Sequence, residues 1–350
     1  GLWLAGLLGT LLAVALWFTA PALVSALGAP ADVVPFALTY LRWSVPGLPG
    51  MLVVLAATGA LRGMLDTRTP LVVAATGAVV NAILCVVLVL VLHLGVAGSG
   101  LATAVTQVAM GGVLAAVVGR GARDAGVPLA PTRRGLLGGL HAGGPLLART
   151  LSLRAAILLA AWVAAGLGTV TLAGHQVVIA VWGLCAFALD ALAIAAQALV
   201  GHALGAGDRD LARATLRRTL EWGTGAGVVL GVVVGAGGWW VAPLFTADPD
   251  VRRAVAVTLV VVALGLPVAG WVFVLDGVLI GAGDGRYLAA AGVATLAVYA
   301  PAALVVRGAA PDGVGGLAWS WVAFAGVFML ARAATTGWRA HGTAWMRTGV

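Results

Sequence analysis

The sequence contains no lysine and few charged residues of any kind. Charged residues make up 9% of its 350 positions, whereas hydrophobic residues make up 62%; a typical soluble domain is roughly a quarter charged. This composition excludes an ordinary soluble domain and predicts a multi-pass membrane protein. All 20 basic residues are arginine, in a chain rich in alanine, glycine and valine. Such usage is typical of a biased genome, so the net charge of +8 does not indicate a nucleic-acid partner.

Cysteine is nearly absent as well. Cys85 and Cys185 both lie in apolar runs, which excludes a disulfide framework and offers no metal site. The spacing of the histidines suggests no metal site either, so we expect no bound metal and no cofactor. The first residues lack the basic region and the small-residue cleavage site of a signal peptide. We therefore expect them to form a membrane-spanning helix.

Long apolar runs dominate the chain instead. A bilayer core requires about 20 apolar residues per helix, and only helices or closed barrels can span it. Division at charged and Gly/Pro-rich breaks predicts ten spans, at 2–20, 35–61, 70–93, 96–119, 141–165, 169–200, 213–243, 254–281, 287–306 and 314–335.

The arginines are unevenly distributed between the two sets of loops that these spans define. Four lie on one side, and fourteen lie on the other: Arg62, Arg68, Arg120, Arg123, Arg133, Arg134, Arg209, Arg213, Arg217, Arg218, Arg286, Arg332, Arg339 and Arg347. Cytoplasmic loops are the arginine-rich ones. We therefore expect a multi-pass protein of the bacterial cytoplasmic (inner) membrane with both ends of this chain in the cytoplasm.

An internal repeat relates the two ends of the chain. A shift of 218 residues aligns Gly59 with Gly277, Gly63 with Gly281, Asp66 with Asp284 and Arg68 with Arg286. Six predicted spans separate the copies, and this even number gives both copies one orientation. Parallel repeats of this kind are typical of transporters.

The two copies are unequal in length. The second, at 135–350, contains six predicted spans, whereas the first, at 1–134, contains four. The helices and charged loop at 135–218 have no counterpart in the first copy. We therefore expect two lobes and an N-terminally truncated form of a twelve-helix protein.

Three stretches carry a family resemblance: GALRGMLDTRTPLVVAATGAVVNAIL, GTVTLAGHQVVIAVWGLCAFALDALAIAAQALVGHALGAGD and FVLDGVLIGAGDGRYL. They resemble the multidrug and toxic compound extrusion (MATE) transporters, particularly the bacterial DinF-like branch. The resemblance implies an all-α fold of two helical lobes around a central cleft. It also implies a monomer that exports amphipathic, often cationic, compounds across the lipid bilayer in exchange for a cation, either a proton or Na⁺. A flippase for lipid-linked saccharides, from the same wider superfamily, is the alternative.

Two aspartates lie within predicted spans. A carboxylate there costs at least about 2.5–3.5 kcal/mol and so usually faces a cavity or a partner. Asp276 and Asp190 are therefore the ion-coupling candidates, and the resemblance implies that Asp276 matches a coupling position of the family. The alternative is a salt bridge, with Arg149 or Arg154 as the partner of Asp190.

The remaining polar residues of the spans are candidates for lining the cleft. They are Asn81, Gln107, His175, Gln176, Arg149 and Arg154. For the histidine and the two glutamines, hydrogen bonds between helices are the alternative. The resemblance implies an acidic residue one turn after Asn81, but Cys85 stands there.

The GAGD sequence at 281–284 has two interpretations. It matches the GxGD element of intramembrane aspartyl proteases, but its repeat partner is GMLD at 63–66. A helix-ending turn explains both copies, with Gly63 and Gly281 left-handed at the helix end. Asp66 and Asp284 would then cap the next helix, beside Arg68 and Arg286. A third such turn precedes RDLARATLRRTL at 209–220, which we expect to lie along the inner interface.

Overall fold

The computed structural model describes residues 1–26, 31–127 and 130–348. Within these ranges the chain is helical and contains no strand, which confirms the predicted all-α class. Twelve α-helices follow in order: α1 Leu2–Ala26, α2 Val34–Ser44, α3 Leu48–Gly63, α4 Arg68–Val86, α5 Gly95–Asp124, α6 Arg133–Gly166, α7 Thr169–Gly205, α8 Arg209–Phe245, α9 Pro249–Gly281, α10 Gly285–Ala309, α11 Val314–Trp321 and α12 Met329–His341.

Three short irregular segments join some of these helices into longer rods. A 3₁₀ turn at Val45–Gly47 connects α2 to α3, and π-helical segments at Val87–Val91 and Val322–Phe328 extend α4 and connect α11 to α12. The described residues therefore form ten helices long and apolar enough to cross a membrane, which confirms the predicted number.

Some helices are much longer than a bilayer core is thick. Each of α7 and α8 has 37 residues, which corresponds to about 55 Å, whereas the hydrocarbon core is about 30 Å thick. The stretch at 209–220, which we expect to lie along the inner interface, forms the first turns of α8. No proline or glycine interrupts it before Gly223, so the helix continues directly into the span.

The chain divides into two compact units, Gly1–Leu140 and His141–Val350. The first unit contains α1 to α5 and a small buried cluster of Ala57, Leu61 and Leu114. Helices α3 and α5 approach closely: a Cβ on Gly50 would lie 2.5 Å from the Gln107 carbonyl oxygen. Glycine is therefore required where these backbones touch.

The second unit is built around α9, whose residues are buried along most of its length. On one side α9 packs on α8, where Gly223, Gly227 and Gly231 allow close approach of the two backbones. On another side it packs on α7, where a Cβ on Gly277 would clash with the Ala193 carbonyl. These glycines place α9 at the centre of the unit.

The helices α3, α7 and α9 end in the same hydrogen-bonded turn. In each turn the N–H of an aspartate, Asp66, Asp208 or Asp284, donates to a carbonyl five residues earlier, at Leu61, Ala203 or Leu279. This is the Schellman arrangement. The predicted helix-ending turns are therefore present at both copies of the repeat.

The left-handed residue in each turn is not the predicted one. It is Leu65, with φ of 60°, in the first copy and Gly283, with φ of 73°, in the second. The predicted Gly63 and Gly281 instead end α3 and α9 in helical conformation. The reason is that the six-residue ring of hydrogen bonds places the left-handed position immediately before the aspartate.

The two aspartates of the repeat have different partners. The Asp66 carboxylate accepts from the Thr69 backbone N–H at 3.0 Å, as a capping residue does. The expectation that Asp284 caps α10 is wrong, because its carboxylate is bound by Arg339 at 2.6 and 3.2 Å. A two-point contact between arginine and a carboxylate adds geometric specificity as well as energy.

The arginines of these turns also differ. Arg286 lies 2.5 Å from a ring nitrogen of His141 rather than at Asp284. Arg68 begins α4 and is exposed. The repeat thus preserves the backbone of the turn and varies its side-chain contacts.

Candidate functional site

A cavity of about 480 Å³ lies within the second unit. Its walls come from α6, α7, α9 and the segment that runs from Phe324 into α12. The charged residues that line it are Arg149, Arg154, Asp190, Asp276 and Arg332. Five charged side chains therefore share one cavity between helices that cross a membrane.

Three of these residues form an ion-paired triad. The same oxygen of Asp276, Oδ2, accepts from Arg149 at 2.6 Å and from Arg332. Asp276 is 5% exposed and Arg332 7%. The triad links α6, α9 and α12, and its formal charge is +1. It supplies the buried carboxylate with the paired, hydrogen-bonded environment that a buried charge requires.

The expectation that Arg332 is a loop arginine is wrong. It lies in α12, pairs with Asp276 and has its guanidinium 5.7 Å from the Phe328 ring and 5.9 Å from the Phe273 ring. A signal was available: Arg332 falls inside the predicted span 314–335, where an arginine requires a partner. The suggested pairing of Arg149 with Asp190 is also wrong, because Arg149 binds Asp276.

The other two charged residues have no such partners. Asp190 on α7 and Arg154 on α6 are both exposed and both line the cavity. Within the described ranges, neither side chain forms a hydrogen bond or an ion pair. Asp190 is therefore the one cavity carboxylate, among described residues, that is free to bind a ligand.

Aromatic rings form much of the remaining wall. Trp182, Phe187, Phe273, Phe324 and Phe328 line the cavity. Phe324 stacks on Phe328 with ring centroids 5.3 Å apart, and the edge of Trp182 meets Phe324 at 5.6 Å. These rings offer apolar area and π faces that attract cations.

The remaining predicted cleft residues lie elsewhere. His175 is 2% exposed and packs 5.8 Å from the Trp321 ring, and Gln176 is exposed. Neither lines the cavity of the second unit. Asn81 and Gln107 belong to the first unit, where the Asn81 side-chain oxygen is buried with no hydrogen-bond partner among the described residues. Over those same ranges, no group of three or more potential metal ligands occurs.

The fold and this cavity together define a class of protein, a polytopic membrane transporter. The described residues contain ten candidate spans, and the GxGD sequence forms a turn whose aspartate is held by Arg339. Comparison with known proteins then gives the family. The MatE family model matches residues 1–87 and 145–305, and the chain belongs to this family.

Relatives in plants and bacteria agree with this assignment. Protein DETOXIFICATION 42 of Arabidopsis thaliana is 32% identical over 336 residues, which cover 95% of this chain and 64% of the relative. The DNA damage-inducible protein F of Escherichia coli (strain K12) is 28% identical over 247 residues, 69% of this chain and 53% of that protein. The predicted resemblance to MATE transporters is confirmed, and the family sets the chain apart from enzymes.

Solved structures share the fold. A MOP superfamily transporter from Pyrococcus furiosus matches with a TM-score of 0.87 and 20% identity, over 99% of this chain and 78% of that one. The Vibrio cholerae MATE transporter VcmN in its bent form matches with a TM-score of 0.80 and 19% identity, over 98% and 77%. The chain spans between 47% and 64% of the length of the four Arabidopsis relatives.

Proposed function

We propose that this chain serves in the cation-coupled export of amphipathic compounds, and that the coupling cation and the substrate compete for Asp190. The observation that carries the proposal is a free carboxylate on a candidate membrane-spanning helix, in a cavity lined with aromatic rings. Intramembrane carboxylates of this kind mark ion and proton pathways.

Competition for one carboxylate is enough to produce exchange. A proton on Asp190 removes the negative charge that would attract a substrate cation, and a bound substrate cation repels the proton. Because each ligand excludes the other, movement of one across the membrane drives the other in the opposite direction. The faces of Trp182, Phe324 and Phe328 would hold the apolar part of the substrate.

The geometry supports a structural role for Asp276 rather than coupling. Its carboxylate is already bound by two guanidinium groups, so a cation would have to displace Arg149 and Arg332 together. The predicted coupling role therefore belongs first to Asp190. A proton suits this site better than Na⁺, since the neighbouring guanidiniums are hydrogen-bond donors and cannot ligate a metal.

The proposed location is the bacterial cytoplasmic membrane, with both ends of the chain in the cytoplasm and a monomer as the working unit. When Arg332 is not counted as a loop arginine, thirteen arginines lie in the predicted cytoplasmic loops and four lie in the opposite set of loops. This asymmetry supports the proposed orientation.

A flippase for lipid-linked saccharides remains the second candidate because of one observation. Three arginines line the cavity against two aspartates, and a lipid pyrophosphate would favour that excess of positive charge.

Binding measurements with the purified chain in nanodiscs test the proposal. Asp190→Asn removes the charge and keeps the size, so we expect it to weaken binding of the fluorescent aromatic cation ethidium at least tenfold at pH 8. Asp210→Asn is the matched control, because Asp210 is exposed on α8 and does not line the cavity. Unchanged ethidium binding by Asp190→Asn would refute the proposal. Binding of a polyprenyl pyrophosphate saccharide but not ethidium would favour the flippase.

A further inference from the structure

We infer that Arg154 acts as a competing counter-ion of Asp190: its guanidinium, tethered in the same cavity, competes with a proton or substrate cation for the carboxylate. This inference rests on the proposed function of Asp190. Both side chains line the same cavity, both are exposed, and neither has a partner in the described part of the chain. They are the two cavity charges that the triad leaves uncompensated.

The two residues lie at a similar depth. Helices α6 and α7 are joined by the two residues 167–168, so they run in opposite directions. The triad marks a common level, because Arg149 on α6 binds Asp276 and Ala193 on α7 lies against Gly277, the residue after Asp276.

From that level both charges are displaced towards the same end of the helix pair. Arg154 lies five residues beyond Arg149, a rise of about 7.5 Å, and Asp190 lies three residues before Ala193, a rise of about 4.5 Å. The axial difference is therefore about 3 Å, so the two charges lie at nearly the same level of the cavity that they both line.

A tethered guanidinium makes Asp190 selective. It competes with every incoming cation at the high effective concentration that tethering gives. An inorganic cation offers charge alone and must also approach the net positive charge of Arg149, Asp276 and Arg332. An organic cation adds apolar area against Trp182 and the phenylalanines, so it can displace Arg154 where a metal ion cannot. Arg154 thus acts as a specificity-determining and positioning residue through Asp190.

Substitutions at Arg154 test this role in the full chain. With Arg154→Gln we expect ethidium to bind about tenfold more tightly at pH 8 and Na⁺ to begin to compete with it. Arg154→Lys keeps the tethered charge and should restore wild-type affinity and indifference to Na⁺. Arg253→Gln is the matched control, an exposed arginine on α9 that does not line the cavity. In the double variant with Asp190→Asn, the gain from Arg154→Gln should disappear.

The outcomes separate this inference from the proposed function. If Asp190→Asn binds ethidium as the wild type does, the proposed function fails. If Asp190→Asn loses binding but Arg154→Gln behaves like Arg253→Gln, only the counter-ion role fails. Arg154→Met keeps the aliphatic stem and serves where the glutamine variant does not fold. If Arg154→Met binds ethidium more tightly than the wild type and Arg154→Lys does so to the same extent, the inference is also contradicted.

Discussion

A carboxylate in an apolar helix can be compensated by fixed partners or left facing a cavity, and the second unit contains one residue of each kind. Asp276 is bound by Arg149 and Arg332, whereas Asp190 faces the cavity without a partner in the described residues. The sequence alone indicates that both carboxylates are unfavourable inside a membrane-spanning helix, but it does not show which one has fixed partners and which one faces the cavity. Arg332 distinguishes the two aspartates, because it binds only Asp276. It lies 56 residues from Asp276 in the sequence and contacts it because α12 packs on α9.

We expect Asp276→Asn to destabilise the fold, because it leaves two arginines near a neutral side chain. Removing one partner of a buried ion pair costs about 3–5 kcal/mol. Glu221→Gln is the control: it breaks the exposed pair with Arg218 and should cost less than about 1 kcal/mol. Denaturant unfolding in detergent micelles measures both. Equal stability of Asp276→Asn and the wild type would show that the triad does not support the fold.

The capping contact of Asp66 gives a pH-dependent prediction. Its hydrogen bonds with Thr69 hold the pKa of the Asp66 carboxyl below its usual value of 3.8. Since the folded state has the lower pKa, the stabilisation is present above the unfolded pKa and is lost as pH falls through the folded pKa. Asp66→Asn should therefore lower the melting temperature at pH 7 but not at pH 2. A difference that persists unchanged at pH 2 would rule out this linkage.

At the scale of elements, apolar run length predicted all ten spans and the repeat predicted the helix-ending turns. The left-handed position could not be read in advance, because in the first copy it is Leu65 rather than a glycine. The continuous α8 was missed for another reason: the arginine-rich stretch at 209–220 has strong helix formers and no break, so a change in polarity does not end the helix. Hydropathy marks where a membrane ends, and a helix can continue past it.

The repeated glycines of α3 and α9 allow a matched test of helix packing. In α9, a Cβ on Gly277 would clash with the Ala193 carbonyl of α7, and a Cβ on Gly281 would clash with the Gln197 carbonyl. A Cβ on either repeat partner, Gly59 or Gly63, would have no described atom of a neighbouring element within 4 Å. We expect Gly277→Ala and Gly281→Ala to cost about 1–3 kcal/mol through overpacking.

Gly59→Ala and Gly63→Ala should leave the free energy of unfolding unchanged or slightly raised, because alanine favours a helix over glycine. Thermal unfolding of the four variants in one detergent compares them directly. Equal losses at both copies would mean that α3 is packed as tightly as α9.

At the scale of the whole molecule, composition, arginine distribution and the 218-residue repeat led to a membrane transporter, and the family match confirms it. Four of the five charged residues of the cavity, namely Asp276, Asp190, Arg149 and Arg154, were found from the sequence. The aromatic wall was not, because Trp182, Phe273 and Phe324 come from three separate helices and have no shared motif. Their assembly depends on the packing of α7, α9 and the segment before α12.

Proton release on substrate binding tests the central claim most directly. If a proton and a substrate cation compete for Asp190, ethidium added to the purified chain in weakly buffered nanodiscs, at a pH where binding is half-maximal, should release a substantial fraction of one proton per bound dye. Asp210→Asn should behave like the wild type, and Asp190→Asn should release none at dye concentrations high enough to saturate it. Binding of ethidium by the wild type without proton release, or equal release by Asp190→Asn, would contradict exchange at this carboxylate.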